Sequence, residues 1–369
     1  MKKIFEDFIA LIRDSNAVIS TDRREVERLA ESHGMTAFAV TDEKDKRRNL
    51  VMYKHFMLMQ EYEAVKLIFE KNNIRYMPLK GAVLCSLYPK PYMREMSDID
   101  ILVDKENLET IRKLMQDNGF KYSQSVYPDP DVFTKAAGVS FEVHNTLVTL
   151  NKQTGFDEFF AEPWSMAECD GLCYRLTPEN EYIYILVHMY GHFHSRGSGV
   201  RGILDLYLYR KNNNIDFEVV QDAFEKCGIK QFADNIHMLM EVWFEGKPGN
   251  KLTDELGEFI MTSGTYGTRE RYNMRVYDSN RSTLENVGKI AKREIFLSKD
   301  KIVSQYPWAE NSLLVPAAYT HRIYRILKNK GSTAVRWVKA LAKTDRKAAL
   351  EFQRKMKRFG VADYERTAE

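Results

Sequence analysis

The chain has 369 residues, 55 Lys and Arg against 52 Asp and Glu, and four cysteines. That length suggests roughly two domains, and 44% hydrophobic with 12% aromatic residues excludes a disordered composition. A net charge of +3 excludes a chain that is strongly basic or acidic throughout, and Cys85, Cys169, Cys173 and Cys227 form neither a disulfide framework nor a paired zinc pattern.

Residues 1–73 read as helical. Phe5, Phe8, Ile9 and Ile12 recur at three- and four-residue steps, as one helix face requires. A longer helix is expected over 49–71. The texture then changes: 74–81 is short, apolar and closed by Gly81, Ala82–Tyr88 can form one or two helical turns, and 98–103 is strand-like. Lys105–Asn118 reads as an amphipathic helix stopped by Gly119. Residues 120–126 and 139–148 read as strands separated by a Pro-Asp turn. From about 178 helices dominate again, at 179–194, 200–211, 216–227, 229–245 and 314–358. The apolar run 182–187 falls far short of the roughly 18 residues that a bilayer span needs. The amino-terminal segment reads as an amphipathic helix rather than a signal peptide, and the thiols read as reduced, so a cytoplasmic protein is expected.

The chemistry concentrates in Ser97-Asp98-Ile99-Asp100. Side chains alternate along a strand, so Asp98 and Asp100 share a face. Asp is depleted in strands, and two same-face carboxylates repel. A divalent cation answers both problems, because Mg²⁺ prefers carboxylate oxygens together with substrate phosphates; solvation at a strand end is the plainer alternative. Glu142, set between Phe141 and Val143, supplies a third acid if its strand pairs beside 98–103. Three such acids can hold metal ions, and the third can serve as general base. Lys80 and Gly81 lie between a strand and a helix start, a place where backbone and charge can meet a phosphate. Arg94 is placed either to contact a triphosphate or to neutralise the acids.

The run 79–103, followed by Phe141–Leu147 and by the segment 176–209, resembles the uncharacterised bacterial nucleotidyltransferase family within the DNA polymerase beta superfamily. The resemblance covers roughly 50–330. It implies an α+β fold: a polymerase-beta-like nucleotidyltransferase core, a small mixed sheet with helices, plus a large helical C-terminal domain. The expected organisation is an N-terminal helical region (1–73), a catalytic core (74–150) and a mostly helical remainder (151–369). The resemblance further implies Asp98, Asp100 and Glu142 as metal-binding catalytic acids, with Lys80, Gly81, Arg94 and Ser97 at the nucleotide. Mg²⁺ or Mn²⁺ would be the cofactor. An NTP, with ATP as the first candidate, would donate a nucleoside monophosphate to an unidentified hydroxyl-bearing acceptor. One departure is that Ala82, not Ser or Gly, follows Gly81, and sixteen residues separate Gly81 from Asp98.

His144 shares a strand face with Glu142 and is the candidate standing behind the ligands. His188 and His192 sit at i and i+4, as do Arg201 and Asp205, for which an intrahelical pair is expected. Met189 follows His188, which defeats the H-E-x-x-H zinc reading; these four are candidates for lining the acceptor or nucleotide cleft. Residues 322–358 hold 13 Lys and Arg against Asp345 and Glu351, a net +11 that leaves the rest at −8. Such a segment suits nucleic acid or an anionic surface, or is a solvated helix face. Two other functions follow from these features: a catalytically weak nucleotide- or partner-binding protein, as in a toxin–antitoxin-like pair, and a nucleic-acid-modifying nucleotidyltransferase.

Overall fold

The computed structural model describes residues 2–124, 130–148, 155–278, 306–325 and 345–362, with scattered positions between 280 and 303 and residue 328. Four helices open the chain: α1 (Lys3–Arg13), α2 (Arg23–Ser32), the short α3 (Thr36–Ala39) and α4 (Lys46–Lys71). Asp22 and Asp45 accept backbone N–H groups at the starts of α2 and α4, satisfying donors that a helix start leaves free. The buried residues of α4 are Leu58, Tyr62, Val65 and Phe69, spaced by four and three as one helix face.

Seven strands follow, interleaved with helices. They are β1 (Tyr76–Leu79), β2 (Ile99–Val103), β3 (Lys121–Gln124), β4 (Asp131–Thr134), β5 (Ser140–His144), β6 (Ala167–Asp170) and β7 (Cys173–Leu176). α5 (Gly81–Leu84) leaves β1, α6 (Leu108–Asp117) links β2 to β3, and α7 (Phe156–Phe159) precedes β6. The sheet order is β3-β4-β5-β2-β1-β7-β6. β2 runs parallel to β5 and β1 parallel to β7; the other neighbours are antiparallel. The sheet is therefore mixed, within an α+β architecture.

Alternation sorts each strand. Tyr76, Ile99, Ile101, Val103, Phe141 and Val143 enter one core with α4 and α6. Met77, Leu79 and Leu102 face the opposite way, into a larger core shared with α1–α3 and the C-terminal helices. Those helices are α8 (Pro178–Ser195), α9 (Val200–Asn212), α10 (Phe217–Lys226), α11 (Lys230–Met240), α12 (Lys251–Met261) and α13 (Arg269–Val276). A helical turn of π type, Glu241–Glu245, extends α11. α8 is buried along most of its length, as a helix apolar on all sides must be.

The strand reading differs from the structure in two places. The expected turn between 126 and 139 contains β4. The β6–β7 hairpin, closed at Gly171 with φ 61°, was not expected, because strands of four residues are too short to show an alternation. The basic segment is described at 322–325, 328 and 345–358, the last as the helix Arg346–Arg358. Residues 326, 327 and 329–344, with Trp337, lie outside the described residues. No described helix is long and apolar enough to cross a membrane.

Candidate active site

The parallel pairing of β2 with β5 sets Asp100 directly beside Glu142 and Leu102 beside His144. Phe141 and Val143 enter the core, which turns Glu142 and His144 to the side that Asp100 shares. Asp98 stands one residue before β2. Asp98, Asp100 and Glu142 line one cavity of about 300 Å³, bounded opposite by α8 and α9.

Lys80 turns the chain from β1 into α5 with φ 48° and ψ −114°, a left-handed conformation rare for a residue with a Cβ. This aims its side chain at the acids: Nζ donates to Asp100 Oδ1 at 2.6 Å. The same oxygen lies 2.9 Å from His144 Nε2. Gly81 follows, and a Cβ there would meet Met96 Sδ at 2.6 Å and Arg94 Nη1 at 2.7 Å. A side chain at this position would have to push aside the ends of the Met96 and Arg94 side chains.

The three acids are held differently. Burial opposes the charge on Asp100, but Lys80 and His144 outweigh it and hold the carboxyl well below the ordinary range. Asp98 is raised by burial and then by the Asp100 charge. Glu142 is raised by burial and then by Asp100 and Asp98. Mutual repulsion is what a bound cation relieves. Asp100, Glu142 and His144 each offer a ligand atom, all within 4.8 Å of one another, and carboxylate oxygens and imidazole are both metal ligands. The donor set therefore fits a divalent cation, with His144 inside the group and Asp98 on the adjoining wall.

The facing helices carry the other candidates. His188 and His192 Nε2 atoms lie 3.0 Å apart. Burial, followed by the Lys80 charge, drives His188 well below its ordinary value and pushes His192 down to about 4, so both imidazoles are neutral near pH 7. The expected Arg201–Asp205 pair is absent. Asp205 instead takes two hydrogen bonds from Arg94, at 2.8 and 2.9 Å, and one from the Tyr88 hydroxyl at 2.7 Å. Arg94 is buried in this pair, with its charge met from α9 rather than by the acids of β2. Arg201 donates to the Glu95 carbonyl. Ser97 is exposed, and its Oγ lies 3.2 Å from the Tyr266 hydroxyl.

Tyr88, Glu95, Thr265 and Tyr266 were missed from sequence. Tyr266, 54% exposed, stands at the cavity wall between Gly264 and Gly267, both with positive φ. The glycine-flanked Gly264-Thr265-Tyr266-Gly267 is the signal that could have found it.

The sequence model of the family described as "Uncharacterised nucleotidyltransferase" matches residues 25–245, more than half of the chain. The protein belongs to this family. No curated protein and no solved structure matches the chain. The matched nucleotidyltransferase segment contains every sequence-predicted candidate, from Lys80 to Asp205. The Thr265–Tyr266 wall lies beyond it.

Proposed function

We propose that this nucleotidyltransferase has a polymerase-beta-like core and is metal-dependent, moving a nucleoside monophosphate from an NTP, ATP first among them, to a small hydroxyl-bearing acceptor. The division into an N-terminal helical region, a core at 74–150 and a helical remainder belongs to the same proposal. The observation that carries it is the side-by-side placement of Asp100 and Glu142 on parallel strands, with Asp98 on the same cavity. Asp98, Asp100 and Glu142 would hold Mg²⁺ or Mn²⁺, with His144 against Asp100. A bound cation supplies charge neutralisation and orientation for the phosphates.

The chain's own residues account for the rest. Lys80 supplies positive charge for the triphosphate. Glu142 takes the acceptor hydroxyl proton as that oxygen bonds to the α-phosphorus. The bond from phosphorus to the departing oxygen breaks, and pyrophosphate leaves with its electron pair. The neutral His188 and His192 offer hydrogen bonds to the acceptor from the opposite wall without adding positive charge beside the cation.

The test is to incubate the protein with labelled NTPs, Mg²⁺ and cell extract, fractionated into small molecules, nucleic acid and protein. The expected result is labelling of a small molecule that the double variant Asp98→Asn/Asp100→Asn loses. Equal labelling by the double variant overturns the assignment. Labelling confined to nucleic acid overturns the acceptor class.

A further inference from the structure

Asp100 Oδ1 is the most heavily used atom of the site. It accepts from Lys80 Nζ at 2.6 Å and sits 2.9 Å from His144 Nε2, and Asp100 is 5% exposed. With these two partners Oδ1 has no lone pair left for a cation; Oδ2 remains, and a cation that came to it would lie beside the Lys80 ammonium, which repels it. The two that hold it are not equivalent. His144 is fixed on β5, paired into the sheet beside β2, and is itself able to bind a metal. Lys80 is on a four-carbon stem at the end of β1, lines the same cavity, and has its backbone in a conformation that few side chains tolerate. Positions of this kind persist where a function holds them.

We propose that Lys80 is an exchangeable counter-ion. In the cation-free protein its ammonium takes the place on Asp100 that a divalent cation would take. It leaves that place only when the cation arrives, and the phosphate oxygens that accompany the cation receive it. The inference rests on the metal-dependent reading above and adds its regulation. Cation and triphosphate bind as a couple, because either alone leaves charge unbalanced: a cation alone takes Asp100 from the Lys80 ammonium, whose side chain is 20% exposed, and an anion alone faces three carboxylates. The arrangement disfavours idle loading of the site with a metal ion, and it gives the ammonium a partner in both states.

Mn²⁺ binding, followed by calorimetry or electron paramagnetic resonance, tests this without turnover. Lys80→Met keeps the stem and removes the charge. The variant is expected to bind Mn²⁺ alone at least tenfold more tightly than the unaltered protein, while losing at least tenfold in affinity for a non-hydrolysable ATP analogue with Mn²⁺. Equal Mn²⁺ affinity in the two proteins overturns the exchange. Absence of any binding of Mn²⁺ with the analogue to the unaltered protein overturns the nucleotidyltransferase reading instead. A second measurement needs no variant and survives a misfolded one. Acetylation of Lys80, read by mass spectrometry, is expected to rise several-fold when Mn²⁺ alone saturates the protein and to fall again when the analogue is added. Unchanged labelling at saturating Mn²⁺ also overturns the exchange.

Discussion

The two walls of the cavity solve opposite problems. The sheet wall gathers Asp98, Asp100 and Glu142 around a single nearby ammonium, so charge is left over, and burial together with that surplus pushes two of the three carboxyls upward. On the helical wall most charge is cancelled or suppressed, Arg201, which donates to the Glu95 carbonyl, being the exception. Asp205 is matched by Arg94 and Tyr88, and His188 and His192 are neutral by burial. Unmatched charge on one wall and matched charge on the other mark where chemistry is proposed and where position is kept. The walls should therefore fail differently when altered.

The largest contrast is expected from Glu142→Gln. It removes one of three like charges from a side chain that is 32% exposed, so thermal unfolding should shift little. Nucleotidyl transfer should fall by about 10²–10⁴-fold, the usual contribution of a general base. The general-base role also fixes a sign. Only the deprotonated carboxyl can take a proton, so activity should drop on acidification as Glu142 becomes protonated. That acid limb should vanish from the residual activity of the variant, and a retained limb would assign it to another group.

Arg94→Met should act in the reverse manner. Breaking a buried ion pair by removing one partner typically costs about 3–5 kcal/mol, because Asp205 would keep a buried charge facing only Tyr88. Denaturant midpoints measure this. Adding Asp205→Leu to the same chain should recover much of the loss. A variant of unchanged stability that had lost nucleotide affinity would move Arg94 to the sheet wall's side of the comparison.

The smallest effect is expected from the imidazoles. His192 has its folded value pushed down to about 4, below the ordinary value near 6.5. Between those values the unfolded chain binds the proton first, so stability is lost as pH falls through this window. His33, with its Nε2 3.2 Å from the Met261 carbonyl and also pushed down to about 4, contributes in the same direction. His192→Gln should make the urea midpoint less dependent on pH between 7 and 5, and an unaltered slope would place the sensitivity in other groups.

The sheet wall was more legible in the sequence than the helical wall, for a physical reason. Asp98, Asp100 and Glu142 stand out because carboxylates interrupt apolar strands, and that anomaly is local. Their convergence needed one assumption, that the two strands lie side by side. Arg94 and Asp205 carry no such mark. They are 111 positions apart, and helical spacing pointed Asp205 toward Arg201, a partner it does not take. Short-range periodicity ranks neighbours on one helix but is silent about residues brought in from another element. Shortness is what hid β4 and the β6–β7 hairpin, whose four-residue strands leave too few positions to show an alternation.

The parallel pairing of β2 with β5 has a consequence for biosynthesis. Asp100 and His144 are 44 positions apart, and α6, β3 and β4 intervene. A nascent chain that has delivered Asp98 and Asp100 from the ribosome still lacks the strand that completes the donor set. The proposed donor set is thus complete only after the crossover through α6 has closed, a non-local step of the kind that slows folding.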